Sequence, residues 1–271
     1  MTFPTFLILV LVAIAKWFVY KKIRRHTQRK IYSQSLPVEW ESILKQNVSH
    51  YPHIPEKYRL CFHGLINLFL NEKAFIGCDG QAITDEVRLT IAGNVCLLLL
   101  NQNKDSFPGF TSILVYPNTY IVKETSYDGL VETQHNSVRA GESWQRGQVV
   151  LSWSDVIKGV NHTTDGHNVV IHEFAHKLDE ENSIMDGLPV LRQSTDYKEW
   201  SEILNTEYQS LIKRVTYDSN SVLDEYGTHS PPEFFAVATE SFFEKSKQMK
   251  QQLPKLYGQL SQYYGLDPDN W

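Results

Sequence analysis

The chain has 271 residues, of which 42% are hydrophobic and 21% charged, a balance that excludes a disordered or fibrous protein. Residues 1–30 hold seven of the 26 lysines and arginines and none of the 31 acidic residues, so the rest of the chain is acidic and no nucleic acid is expected as a partner. The three cysteines (Cys61, Cys78 and Cys96) have no paired spacing, which favours a reducing compartment over a disulfide framework.

The amino terminus is the most apolar segment of the chain. Residues 3–15 are almost uninterrupted hydrophobic residues, and residues 17–20 extend them to roughly 27 Å of helix, close to the thickness of a bilayer core. With the basic residues that follow, this pattern predicts a single-pass anchor in the cytoplasmic membrane over residues 1–30, with residues 31–271 facing the cytoplasm. A soluble cytoplasmic protein, a signal peptide cleaved near Ala13 and Ala15, and a buried core helix are the alternatives.

Beyond residue 30, the pattern predicts one helix-rich α+β domain with a small central sheet. Apolar residues at helical spacing indicate the helices, with Thr84 as one N-cap, and β-branched and aromatic runs indicate the strands. The predicted helices cover residues 38–45, 56–72, 85–100, 169–179, 200–215, 231–245 and 253–264. The predicted strands cover residues 113–116, 120–122 and 148–153, with a turn at Pro117 and Asn118 between the first two.

The motif that indicates metal binding and catalysis is His172-Glu173-Phe174-Ala175-His176, which lies inside a predicted helix. Residues four apart lie on one helix face, so both imidazoles can reach one metal ion, and Glu173 beside them can act as a general base. The apolar residues before the motif predict a buried helix, in which these polar side chains would be costly without a cation. Two ordinary histidines with satisfied hydrogen bonds are the alternative.

A third metal ligand must come from elsewhere, because the extended pattern HExxHxxGxxH fails at Asp179. The helix after Ser230 offers Glu233 and Glu240, which are seven residues apart and share a face. His229 is a weaker candidate, and Glu233 could instead complete a capping box with Ser230. Asp179, or the carboxylate that is not a ligand, could orient a ligating imidazole. The spacing leaves this choice open.

Four segments together resemble the Mlc titration factor A family of zinc-dependent peptidases: GESWQRGQVVLSW, NVVIHEFAHKLD, DEYGTHSPPEFFAVATESFF and LYGQLSQYYGLDP. The resemblance implies a glutamate-type zincin core with one zinc ion held by His172, His176 and Glu233. It also implies Glu173 as the general base and Tyr226 as the residue that stabilises the oxyanion. Short peptides are the implied substrates, and a transcriptional repressor is an implied partner because the type member binds a glucose-responsive one.

The resulting prediction is a zinc metallopeptidase that hydrolyses peptide bonds through an activated water. An extended peptide substrate is expected to pair with the predicted strand before the motif. The candidate substrate-binding residues are therefore Gln148, Val149, Val150, Leu151, Ser152 and Trp153. The alternatives are a regulatory module that sequesters a repressor, with a structural zinc closed by a fourth protein ligand, and a metal-free membrane scaffold.

Overall fold

The computed structural model describes residues 3–102, 107, 109–128, 131–139, 141–144 and 147–271, with side chains described from residue 11 onward except for residues 120–146. The helices of these residues are α1 (Phe3–Tyr32), α2 (Val38–Asn47), α3 (Glu56–Glu72), α4 (Asp85–Leu99), α5 (Trp153–Asn161), α6 (Val169–Asp179), α7 (Asp196–Thr216), α8 (Pro231–Glu244), α9 (Ser246–Gln252) and α10 (Pro254–Tyr264). The strands are β1 (Ala74–Gly77), β2 (Ser112–Tyr116), β3 (Tyr120–Asp128), β4 (Val131–Arg139), β5 (Gly141–Trp144) and β6 (Gln148–Ser152).

The architecture is the predicted helix-rich α+β fold with a small sheet. Four strands form this sheet in the order β1-β2-β6-β5, with β1, β2 and β6 parallel and β5 antiparallel to β6. Strands β3 and β4 pair with each other in a separate antiparallel ribbon. The predicted turn at Pro117 and Asn118 therefore joins strands of two different sheets.

The strand predicted to bind a peptide, β6, is internal to its sheet. It pairs with β2 along one edge and with β5 along the other, so neither edge is open to an added strand. A strand with two partners has its backbone hydrogen bonds already formed, so this arrangement does not favour the predicted pairing of substrate with β6. Trp153 belongs to α5, which Ser152 caps by accepting the backbone N–H of Asp155 at 3.3 Å. The side chains buried in the sheet are those of Val149, Val150, Leu151 and Ser152, while Gln148 is partly exposed.

Helix α6 lies in the centre of the core. It packs against α4, α8 and β5, and α4 is buried along most of its length, as its apolar end predicts. Phe174 on α6 is fully buried, with its ring centroid 5.2 Å from that of Phe107 and 5.5 Å from that of Phe110. Burying a side chain of this size contributes about 1.5–3 kcal/mol. This packing holds the helix that carries the predicted metal ligands.

The amino-terminal apolar run forms α1, which packs against α3 through its final turns. Gln28 donates to Glu72 at 2.7 Å, and Tyr32 lies so close to Gly64 that a Cβ there would be 2.6 Å from the tyrosine ring. Among the residues that the structure describes, no helix is long and apolar enough to cross a membrane. The first ten residues of the predicted anchor have no described side chains, and residues 21–30 of α1 are mostly charged or polar. The prediction of a membrane-spanning anchor is therefore unsupported.

Candidate metal centre

Two helices bring three potential metal ligands together. His172 and His176 lie one turn apart on α6, and Glu233 lies in the first turn of α8. The Nε2 atoms of the two imidazoles are 3.2 Å apart. Glu233 Oε2 lies 2.9 Å from the Nε2 atom of His172 and 3.3 Å from that of His176. The structure thus gathers the three side chains that the family resemblance implies as ligands.

The three ligand atoms fit a transition-metal ion. Bonds of about 2.0–2.1 Å at tetrahedral angles place neighbouring ligand atoms about 3.3 Å apart. The three observed separations, 2.9, 3.2 and 3.3 Å, are close to this value. Two imidazole nitrogens and one carboxylate oxygen are also the donors of hydrolytic zinc sites that leave a position open for water. The donor set is therefore compatible with a metal ion, and other divalent transition metals share its ligand preferences.

The charges around the centre favour a cation. Burial lowers the pKa of His172, but the carboxylates of Glu240 and Glu233 outweigh burial and hold this pKa well above its usual value. Burial raises the pKa of Glu233, yet its hydrogen bonds with the two histidines hold that pKa well below its ordinary value. Burial is the main cause of the raised pKa of Glu173. The arrangement stabilises positive charge between the imidazoles, which is what a bound metal ion supplies.

Glu240, the competing candidate for the third ligand, lies on the other side of the His172 ring. Its Oε2 atom is 3.0 Å from Nδ1 of His172, and its Oε1 atom accepts the backbone N–H of Asn168 at 2.7 Å. The two ring nitrogens point in different directions, so Glu240 faces away from His176. The distances therefore favour Glu233 as the third ligand, a choice that the residue spacing left open.

The local sequence fixes the start of α8 beside α6. Ser230 caps α8 by accepting the backbone N–H of Glu233 at 3.4 Å, and Pro231 occupies a position where no N–H is needed. The Glu233 carboxylate, which a full capping box would turn toward the backbone, lies against the histidines instead. Gly187, with a φ of +80°, passes so close that a Cβ would lie 2.7 Å from the carbonyl oxygen of Pro231. Its N–H donates to Asp179 at 2.8 Å, which ties the end of α6 to the start of α8.

Two further predicted site residues lie next to the ligands. Glu173 follows His172 on α6 and is only 5% exposed. Tyr226 lies in a short 3₁₀ turn, Glu225–Thr228, with its ring centroid 5.9 Å from that of His172. Its side chain is 48% exposed, so it borders the solvent-facing side of the centre.

His229, the weaker candidate ligand, and Asp179, the candidate for orienting an imidazole, do not join the group of ligands. His229 packs its ring 4.6 Å from that of Tyr226, and its Nδ1 atom lies 2.8 Å from the Tyr226 carbonyl oxygen. Asp179 is buried and accepts the Gly187 N–H. Within the described part of the chain, neither Asp179 Oδ1 nor His176 Nδ1 has a hydrogen-bond partner.

Asn168 is the residue of this region that the sequence analysis missed. Its side chain caps α6 by accepting the Ile171 N–H at 3.1 Å, and its amide group donates to Asn94 at 3.2 Å and to Glu244 at 3.0 Å. An asparagine directly before an apolar helical run is a recognisable start signal, so its capping role could have been predicted. Its contacts with Glu240 and Glu244 depend on the packing of α8 and could not.

The centre combines a helix that carries two histidines four residues apart, a glutamate between them and a carboxylate from a distant helix. Together with the fold, this combination is typical of metallopeptidase-type proteins. Residues 21–265 match the family model described as glucose-regulated metallo-peptidase M90. The chain belongs to this family, as the resemblance in its sequence motifs predicted.

Individual relatives support the same assignment. The chain is 40% identical over 243 residues to a Synechocystis protein described as uncharacterized, covering 89% of this chain and 88% of that protein. It is 32% identical over 209 residues to Mlc titration factor A of Pectobacterium atrosepticum, covering 75% of this chain and 77% of that protein. The identity to Mlc titration factor A of Escherichia fergusonii is 30% over 234 residues, covering 84% and 86%. The similarity therefore extends through most of each chain and well beyond the histidine motif.

Proposed function

We propose that this protein is a metal-dependent peptidase whose ion is zinc, held by His172, His176 and Glu233. The observation that carries the proposal is the convergence of three ligand atoms at separations of 2.9–3.3 Å, together with the buried Glu173, whose carboxyl group interacts electrostatically with both histidines. Membership of a metallopeptidase family supports the same conclusion. A bound zinc ion would supply a Lewis acid, which acidifies a water molecule and polarises a carbonyl group.

Glu173 is the proposed general base. It follows His172 on α6, its carboxyl group interacts electrostatically with both histidines, and burial raises its pKa above the ordinary value. A carboxylate with a raised pKa is a stronger base, so Glu173 is suited to accept a proton from the attacking water. The same group then returns the proton to the leaving amine.

Tyr226 is the proposed stabiliser of the developing oxyanion. The ring lies 5.9 Å from the His172 ring and is exposed toward solvent, where a substrate can approach it. A phenolic O–H donates a hydrogen bond to negative charge that builds on the substrate oxygen.

Strand β5 is the proposed binding edge for the peptide backbone. It ends the sheet order β1-β2-β6-β5 and packs against α6, whereas β6 is enclosed by its two neighbours. An extended peptide that adds to β5 would form main-chain hydrogen bonds beside the helix that carries the histidines.

A regulatory function is the second candidate, because relatives that share most of this chain bear the name Mlc titration factor A. We propose a transcriptional repressor as the partner to test. Binding of such a partner requires a surface rather than Glu173, so the two functions separate in a variant that lacks the general base.

The decisive experiment compares Glu173→Gln with Glu199→Gln, the same change at an exposed site on α7. Glu173→Gln should retain zinc and lower peptide hydrolysis by about 10²–10⁴-fold, because general acid–base catalysis contributes this much. Glu199→Gln should match the wild type in both measurements. Hydrolysis of a peptide library and the zinc content of each purified protein provide the readouts. Wild-type turnover by Glu173→Gln would refute the assignment, and so would a wild-type protein that cleaves no peptide when loaded with zinc.

A further inference from the structure

The His172 ring is contacted through both of its nitrogens. Nε2 lies 2.9 Å from Glu233 and 3.2 Å from the Nε2 atom of His176, whereas Nδ1 lies 3.0 Å from Glu240. A neutral imidazole carries one proton, and a nitrogen that binds a metal must be the one without it. For Nε2 to bind the metal, Nδ1 must therefore carry the proton and donate it to an acceptor.

Glu240 is held in a fixed position as that acceptor. Its side chain is 6% exposed, and its second oxygen accepts the backbone N–H of Asn168 at 2.7 Å. Asn168 is the N-cap of α6, so Glu240 connects the start of this helix to the ring in its first turn. A carboxylate with one donor on each oxygen has little freedom to turn, and it offers no proton of its own to Nδ1.

Glu244, one turn further along α8, is similar in burial but different in its contacts. Its Oε1 atom accepts the side-chain amide of Asn168 at 3.0 Å, and its Oε2 atom is buried without a hydrogen-bond partner among the described residues. Burial raises the pKa of Glu244 to about 8, so this group is largely uncharged at pH 7. Glu240 and Glu244 are thus two buried glutamates on the same helix, and of the two only Glu240 contacts His172.

We propose that Glu240 is the positioning residue of the metal centre: it holds the proton of His172 on Nδ1 and so leaves Nε2 free to bind the metal. The proposal rests on the proposed metal-dependent function and extends it to a residue that does not touch the ion. The proposal predicts how the side-chain amide is oriented in the variant Glu240→Gln. The amide oxygen must face the N–H of Asn168, since an amide nitrogen there would set two donors against each other. The amide N–H₂ then faces Nδ1, which favours the tautomer with its proton on Nε2 and blocks that nitrogen.

The test compares zinc affinity in the full-length wild type, Glu240→Gln and Glu244→Gln, measured by competition with a metal-sensitive dye. Loss of an outer hydrogen bond to a ligating histidine lowers metal affinity by about 10–100-fold, and Glu240→Gln should fall in this range. Glu244→Gln should bind zinc as the wild type does, because the glutamine oxygen still accepts from Asn168 and the charge at neutral pH hardly changes. Equal affinity of Glu240→Gln and wild type would overturn the proposal, as would equal weakening of both variants.

A second measurement uses the wild-type protein alone and stands even when Glu240→Gln does not fold. With ¹⁵N-labelled histidine and bound zinc, the His172 ring should show a proton on Nδ1 that exchanges slowly with water and resonates downfield, as expected for a hydrogen bond to a buried carboxylate. A rapidly exchanging Nδ1 proton would contradict the proposal while leaving the proposed function intact. A wild-type protein that binds no zinc would overturn both.

Discussion

The two sides of the His172 ring belong to different environments. The Nε2 side faces His176 and Glu233 and borders the exposed ring of Tyr226. The Nδ1 side faces a buried polar network of Glu240, Asn168 and Glu244. One imidazole thus separates a side that borders solvent from a side that is buried.

The difference shows how the protein divides two tasks. In the proposed function, groups on the open side must exchange partners, because a metal, a water molecule and a peptide would all have to enter. Groups on the closed side keep the same hydrogen bonds, and a buried polar group that loses its partner costs about 1–3 kcal/mol. The closed side is therefore suited to fix geometry, and the open side to perform chemistry.

The largest effect should follow removal of a ligand on the open side. Glu233→Ala leaves the two imidazoles without their carboxylate. Zinc affinity should therefore fall further than in Glu240→Gln, for which a loss of about 10–100-fold is expected. Peptide hydrolysis should fall with it. Zinc titration checks the order of the two variants, with Glu199→Ala as the surface control. A Glu233→Ala protein that binds zinc more tightly than Glu240→Gln would reverse the assignment of the two carboxylates.

A smaller effect is expected for the exposed aromatic on the same side. Tyr226→Phe removes one hydroxyl and keeps the ring, so kcat should fall by about 10²–10³-fold, the usual effect of losing one oxyanion donor. Zinc content should stay the same. Tyr217→Phe, at a more exposed tyrosine, is the matched control. Unchanged kcat in steady-state assays of Tyr226→Phe would exclude this role.

The last prediction concerns the closed side and changes the pH dependence of stability rather than metal binding or turnover. Burial raises the pKa of Glu244 from its ordinary value of 4.5 to about 8, so between these values the folded protein holds a proton that the unfolded chain has released. The stability from this group is complete below pH 4.5 and is lost as the pH rises through 8, with a slope of up to about 1.4 kcal/mol per pH unit. Urea denaturation of the wild type and Glu244→Gln from pH 5 to 8 measures the difference. Parallel curves for the two proteins would show that Glu244 titrates normally.

The sequence predicted the helical part of the fold well. Helix α3 was predicted with its observed bounds, and Thr84 caps α4 by accepting the Val87 N–H at 3.3 Å. Strand β1 was missed because four residues directly after a long helix give too short a pattern. Helix α5 was missed because Trp153 continues the apolar run of β6, and only the cap by Ser152 ends the strand.

The candidate site was predictable in composition but not in arrangement. The spacing of His172 and His176 follows from helix geometry alone, so their common face needed no tertiary information. Glu233 and Glu240 also share a face, and no local pattern shows which carboxylate meets which side of the imidazole. The same limit applies to β6, because strand order is decided by contacts between residues far apart in sequence.

Helix α8 supplies the acceptors on both sides of His172, from residues that lie about 10.5 Å apart along its axis. Six residues separate Glu233 from Glu240, and all six are buried. A single inserted or deleted residue in this interval would rotate one carboxylate by about 100° relative to the other. The number of residues in the interval is therefore constrained as well as their packing. Changes in length should therefore be tolerated only outside this interval.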